Sequence, residues 1–166
     1  MMPFVLDQID LKILNVMQKD ASLSSAELAS RVGLSQSPCW RRIQRLRDEG
    51  YIKSVVALLD DEKLGINMYI FAQLKMRTLD DDERERFRHE VDKIPEVLEC
   101  WTVFGDTDCM LKVVAPDVKW YQDFIFYVLL KLPGVIDISS IVTLTDTKKQ
   151  TALPLTIRQF SPSKGR

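Results

Sequence analysis

Residues 24–50, Ser24-Ser25-Ala26-Glu27-Leu28-Ala29-Ser30-Arg31-Val32-Gly33-Leu34-Ser35-Gln36-Ser37-Pro38-Cys39-Trp40-Arg41-Arg42-Ile43-Gln44-Arg45-Leu46-Arg47-Asp48-Glu49-Gly50, decide the fold of the N-terminal part of the chain. Ser24 and Glu27 have capping-box spacing, Leu28, Ala29 and Val32 make an apolar face, and Gly33 supplies the left-handed residue that ends a short helix. Ser35 is placed to cap the next helix, and Pro38 is tolerated in its first turn, where amide nitrogens have no intrahelical acceptor. That helix runs to about Glu49 before Gly50 closes it. Small Ala29, Gly33 in the turn and the short interval between the helices fit two helices crossing steeply, a helix-turn-helix.

Upstream, Asp7 and Asp10 are spaced as a capping pair, and Ile9, Ile13 and Met17 recur on one face, so a first helix is expected over 7–18. Downstream, residues 51–58 (Tyr-Ile-Lys-Ser-Val-Val-Ala-Leu) are rich in β-formers and predict a strand or small wing behind the third helix. On a helical wheel Cys39, Ile43 and Leu46 form the buried side of the third helix, and Ser37, Arg41, Gln44 and Arg45 the opposite, polar side. The net charge of the whole chain is −1, yet residues 34–47 hold four arginines and no carboxylate. Binding to a polyanion depends on the local field, so this helix is expected to enter a major groove. Arginine can fork onto a guanine edge or a phosphate, and glutamine can pair with adenine. The expected DNA contacts are Ser35, Gln36 and Ser37 at the amide-rich helix start, with Arg41, Arg42, Gln44 and Arg45 along it; Arg41 and Arg45 face the groove, and Arg42 and Arg47 lie on the flanks, nearer phosphate. Trp40 is expected in the core.

Periodicity lapses over Asp60 to Gly65, which places a boundary near residue 62 and divides the chain into 1–62 and 63–166. Beyond it, Met68, Ile70, Ala72, Leu74 and Met76 alternate with more polar residues as in a strand buried on one face. The acidic start Asp80 to Glu83 leads into Phe87, Val91 and Ile94 at helical spacing. Val97 to Phe104, the turn Gly105-Asp106-Thr107-Asp108 and Cys109 to Ala115 read as a hairpin. Tyr121, Ile125, Val128, Leu129 and Leu132 mark a second helix, and Val135 to Leu144 a last strand. Ile94-Pro95-Glu96-Val97 is echoed by Leu132-Pro133-Gly134-Val135, as in two related halves. The fold class is therefore α+β: a winged helix-turn-helix followed by a ferredoxin-like βαββαβ unit, whose sheet presents one face to its helices and the other to a partner copy.

With 46% hydrophobic and 28% charged residues the chain reads as soluble and globular, and its apolar runs fall short of the roughly 20 residues that cross a bilayer. No membrane association and a cytoplasmic location are expected. Cys39, Cys100 and Cys109 form no CxxC pair and His89 is the single histidine, so no metal site is expected and the thiols read as reduced. His89 sits among charged residues away from any serine or cysteine, and glycines are scattered, so neither a catalytic constellation nor a phosphate loop is expected. A ferredoxin-like enzyme would need a polar or histidine-lined pocket, and an RNA-binding sheet would need stacking aromatics; the sequence offers neither pattern.

Leu6-Asp7-Gln8-Ile9-Asp10-Leu11-Lys12-Ile13-Leu14, the turn Leu28 to Ser35, Arg41-Arg42-Ile43-Gln44-Arg45-Leu46, Gly50-Tyr51-Ile52, Pro95-Glu96-Val97, the Gly105 to Asp108 turn and Pro133-Gly134-Val135 occur in an order that resembles the Lrp/AsnC family of regulators over nearly the whole chain. The resemblance implies a transcriptional regulator, not an enzyme. It further implies double-stranded DNA with dyad-symmetric sites as partner, a C-terminal domain that dimerises and assembles into tetramers or octamers, no cofactor, and a small amino acid as effector. Within that resemblance Gly105, Asp106, Thr107 and Asp108 form one wall of the effector site. Asp106 or Asp108 would accept the ammonium group, and loop amides with Ser139 or Ser140 would receive the carboxylate. Many relatives carry an aromatic residue or histidine where this chain has Thr107.

Overall fold

The computed structural model describes residues 5–155. Residues 1–4 and 156–166, which the two expected domains include, lie outside the described residues. By its contacts the described chain forms two compact units, 5–58 with 148–155, and 59–147.

In the first unit α1 (Gln8–Met17) starts at a reciprocal capping box, with Asp7 accepting from the backbone of Ile9 and Asp10 and Asp10 accepting from Asp7. Helix α2 (Ser25–Val32) starts at the Ser24/Glu27 box and ends at Gly33, whose φ of 76° is the left-handed conformation that glycine adopts without steric cost. Helix α3 (Gln36–Asp48) begins after Ser35, but the Ser35 side chain makes no capping bond. The reason is local: the N3 position, a usual donor to a capping hydroxyl, is Pro38, which has no N–H. Leu11, Ile13, Leu28, Ala29, Val32, Cys39, Ile43 and Leu46 close the core, with Leu6 at its edge. Leu155 packs on the same core, and the Gln18 side chain donates to the Leu153 carbonyl and accepts from its amide, both at 2.8 Å.

Two expectations fail in this unit. Residues 51–58 form no strand, since no neighbouring strand among the described residues offers them a ladder. Trp40 is 50% exposed and not core. It stands one position round the helix from buried Cys39, beside a small cleft that Met17, Leu23, Leu28, Ile43 and Arg47 also line.

In the second unit β1 (Met68–Met76), α4 (Asp81–Asp92), β2 (Val97–Thr102), β3 (Cys109–Ala115), α5 (Val118–Tyr127) and β4 (Val135–Val142) follow in the expected βαββαβ order. The second helix is shorter than its apolar stripe predicts: it stops at Tyr127, and Leu129–Lys131 forms a separate 3-10 turn. The strands make one antiparallel sheet in the order β2-β3-β1-β4. The pairs Ile70↔Val113 and Ala72↔Leu111 put four buried residues in one row of the same face. Against that face pack Phe87 and Val91 of α4 and Tyr121 and Phe124 of α5, so both helices cover one side of the sheet. The opposite side carries Tyr69 and Phe71 of β1, Met110 and Lys112 of β3, Trp101 of β2 and Ser139 and Ile141 of β4, with Ile141 53% exposed.

Candidate functional site

The four arginines of α3 fall into two kinds of environment. Arg41 and Arg47 are exposed and make no ion pair among the described residues. Arg42 and Arg45 both reach back to α1. Arg42 Nη1 donates to Asp7 Oδ2 at 2.6 Å and to Asp10 Oδ1 at 2.7 Å, and Arg45 Nη2 donates to the two Asp10 oxygens at 3.1 and 3.0 Å. The Asp10 carboxylate is 1% exposed, and its Oδ2 also accepts the Asp7 amide. A buried carboxylate is costly unless charge and hydrogen bonds compensate it, and here two guanidinium groups and one N–H do so. The Asp10 and Asp7 bonds hold the Arg42 guanidinium above the ordinary arginine range. At Asp7, partial burial pushes upward but is outweighed by the Asp10 amide and Arg42, so its carboxyl stays below the ordinary range.

The remaining residues expected at this surface are distributed along the same helix. Ser35, Gln36 and Ser37 are exposed at its start, where Gln36 Nε2 donates to Ser25 Oγ at 2.9 Å and ties α3 to the start of α2. Gln44 is half-buried. Pro38, Arg41, Arg42 and Arg45 surround a shallow concavity of the helix surface. Asp10, by its spacing from Asp7 a capping residue, is also the carboxylate on which Arg42 and Arg45 converge. One signal was available: Asp10 shares its helical face with Ile13 and Met17 at spacings of three and seven, and a carboxylate inside an apolar stripe demands a cation from elsewhere.

In the second unit the Gly105–Asp108 turn joins β2 to β3. Asp106 is exposed and Thr107 half-buried. Asp108 is built into the sheet: its N–H donates to the Leu74 carbonyl at 2.9 Å, and its Oδ2 accepts the Met76 amide at 2.7 Å. Ser139 and Ser140 point to opposite faces of β4. Ser140 Oγ shares a 2.8 Å hydrogen bond with the Tyr121 hydroxyl on the helix side, while Ser139, opposite Gln73, lies on the open side. Gln73 in turn pairs with Met110 of β3, so two strand spacings, about 10 Å, separate Ser139 from the hairpin in one chain. A single copy therefore does not bring the loop and this serine together.

The thiols behave as apolar groups. Cys39 and Cys109 are buried, Cys100 is exposed, and none is in a disulfide. Burial, with Cys100 and Asp108 adding to it, pushes the Cys109 thiol up to about 11. His89 is exposed on α4. Among the described residues no group of three His, Cys, Asp or Glu side chains converges, and no helix is long and apolar enough to cross a membrane.

Comparison with known proteins agrees with this layout. Residues 6–53 match the winged helix-turn-helix DNA-binding family, and residues 69–153 match the Lrp/AsnC ligand binding domain. The leucine-responsive regulatory protein of Escherichia coli is 38% identical over 153 residues, which cover 92% of this chain and 93% of that protein. A transcriptional regulator from Neisseria meningitidis, solved as a complex with L-Met, superposes with a TM-score of 0.86 at 38% identity, covering 90% of this chain and 97% of that one. An AsnC family regulator from Agrobacterium tumefaciens gives 0.85 at 38% identity over the same shares. With a DNA-binding unit followed by a ligand-binding unit, and relatives of this similarity along nearly its whole length, the chain belongs to the Lrp/AsnC family of transcriptional regulators and is not an enzyme.

Proposed function

We propose that α3 is the element that reads DNA, with Arg41, Gln44 and Arg45 toward the groove, Arg42 at its flank, and Ser35, Gln36, Ser37 and the first-turn amides on phosphate. The observation that supports this most is the asymmetry of the helix: Cys39, Ile43 and Leu46 are in the core, Arg41 and Arg45 stand on the opposite side with Arg42 at its flank, and residues 34–47 hold no carboxylate. Two such helices in a homodimer, itself a unit of tetramers or octamers, would meet half-sites about one helical turn apart or a multiple of it, so the operator is dyad-symmetric. The open face of the sheet, with Tyr69, Phe71 and Ile141, suits burial against a second copy. The test is binding of the full chain to duplexes enriched from a random-sequence pool. Arg41→Ala and Arg45→Ala each weaken binding and flatten the slope of log affinity against log salt by about one. If both leave affinity and slope unchanged, α3 is not the reading element.

The effector in this reading is a small amino acid held between copies. Asp106, exposed at the hairpin, receives its ammonium, and loop amides with Ser139 of another copy receive its carboxylate; Asp108 and Ser140 are engaged in their own chain and support the wall from behind. The family's ligand binding domain and the L-Met complex of the Neisseria regulator support this class of ligand. A thermal-shift screen of the twenty amino acids, methionine and leucine first, raises the melting temperature for the effector, because a ligand that binds only the folded assembly stabilises it. No shift with any amino acid would remove the sensing role. The site of action is the cytoplasm, where the DNA is.

A further inference from the structure

We infer that Asp10 is a positioning residue for DNA reading: from α1 it holds the guanidinium group of Arg45 in the orientation that α3 presents to the groove, and that of Arg42 at the flank. This rests on the assignment of α3 as the reading helix. Asp10 is the one buried charged residue among the described residues. Its partners come from 32 and 35 positions further along the chain, so the contact is tertiary and no part of helix formation. Both Asp10 oxygens are used on Arg45 and one of them on Arg42, whereas Arg45 keeps 44% of its side chain exposed. An arginine whose Nη2 is bonded to both oxygens of a buried carboxylate has lost most of its rotamer freedom before any ligand arrives. Ordering that freedom is a cost that binding would otherwise bear. Lysine at the same position would supply equal charge and could also meet the carboxylate, but it has no rigid plane whose orientation is set once Nη2 is held.

Asp7 and Asp10 cancel the formal charges of Arg42 and Arg45, so the fixed orientation comes at the expense of positive field on the very helix that faces a polyanion. A purely electrostatic interface would do better without the Asp10 charge. A reading interface, whose selectivity depends on where the fork points, would not.

The decisive comparison is Asp10→Asn in the full chain, measured against two probes: duplex enriched by the wild-type protein from a random-sequence pool, and the unselected pool itself. Positioning predicts that affinity for the enriched duplex falls about tenfold, the scale of one good base contact, while affinity for the unselected pool is unchanged or rises. The ratio of the two affinities does not depend on the folded fraction of the sample, so partial unfolding cannot imitate this result. If both affinities rise together, Asp10 only dilutes charge; if both fall in proportion, it is only structural; either result overturns the inference. Arg45→Lys, at a surface position that tolerates exchange, makes the same test without touching the core. It is expected to keep the salt slope and lose the same tenfold in the ratio, and a wild-type ratio in that variant also overturns the inference. Failure of the underlying assignment looks different: it would leave Arg41→Ala, which has no contact with Asp10, without effect on either probe.

Discussion

Asp10 of α1 and Arg42 of α3 stand 2.7 Å apart with the carboxylate 1% and the guanidinium 27% exposed, and they join the first and third helices of the DNA-binding unit through charge as well as through apolar packing. Replacing Arg42 by alanine removes one of two cations from the buried carboxylate and, among the described residues, the ion-pair partner of Asp7. Because Arg45 still faces Asp10 and Arg42 is partly solvated, the expected loss is about 2 kcal/mol, below the range for stripping a buried ion of all its partners. Urea unfolding of the full chain, followed by a probe in the N-terminal unit such as Trp40 fluorescence, measures it.

The same cluster makes the N-terminal unit acid-sensitive. The folded Asp7 carboxyl titrates below its ordinary range, so in the unfolded chain it takes up a proton more readily than in the folded one. Its contribution to stability is complete above the ordinary carboxylate value and is lost as pH falls through the lowered folded value, that is, below about pH 4. In Asp7→Asn, melting temperature followed from neutral pH downward is lower at the start and falls less steeply in that window.

Gly33 and Gly134 share a left-handed backbone, with φ of 76° and 80°, but not a steric setting. A methyl group at Gly33 meets nothing within 4 Å, whereas at Gly134 it collides with the Leu79 side chain. Gly33→Ala is expected to cost about 1 kcal/mol, from backbone conformation alone. Gly134→Ala adds overpacking and is expected to cost about 3 kcal/mol. Thermal denaturation of the two variants under one set of conditions compares them.

Ser139 and Ser140 are adjacent and should respond oppositely. Ser140→Ala takes away the partner of the buried Tyr121 hydroxyl and is expected to cost about 1 kcal/mol of stability. Ser139→Ala changes an exposed side chain and should stay within about 0.5 kcal/mol, so any loss of amino-acid response in it reports on the ligand and not on the fold. Calorimetry with and without added amino acid separates the two.

Local physics determined most of the fold from the residues alone. The Asp7, Ser24 and Asp80 helix starts, the stop at Gly33, the alternation in β1 and the hairpin around Gly105–Asp108 depend on groups a few positions apart, and each is found where its spacing places it. Where one neighbour outweighs the general rule, the local pattern misleads: Pro38 deprives the Ser35 hydroxyl of a donor, and the β-formers after Gly50 find no strand to pair with among the described residues. The arginines of α3 were legible as a basic helix face, since a 3.6-residue period separates them from Cys39, Ile43 and Leu46. Which of them are tethered was not, because Asp10 lies 32 and 35 residues away and only the packing of α1 on α3 brings its carboxylate under Arg42 and Arg45. Tertiary structure likewise decided that Ser140 bonds to Tyr121 while Ser139 is left on the open face, a difference created by strand alternation once the helices have settled on one side of the sheet.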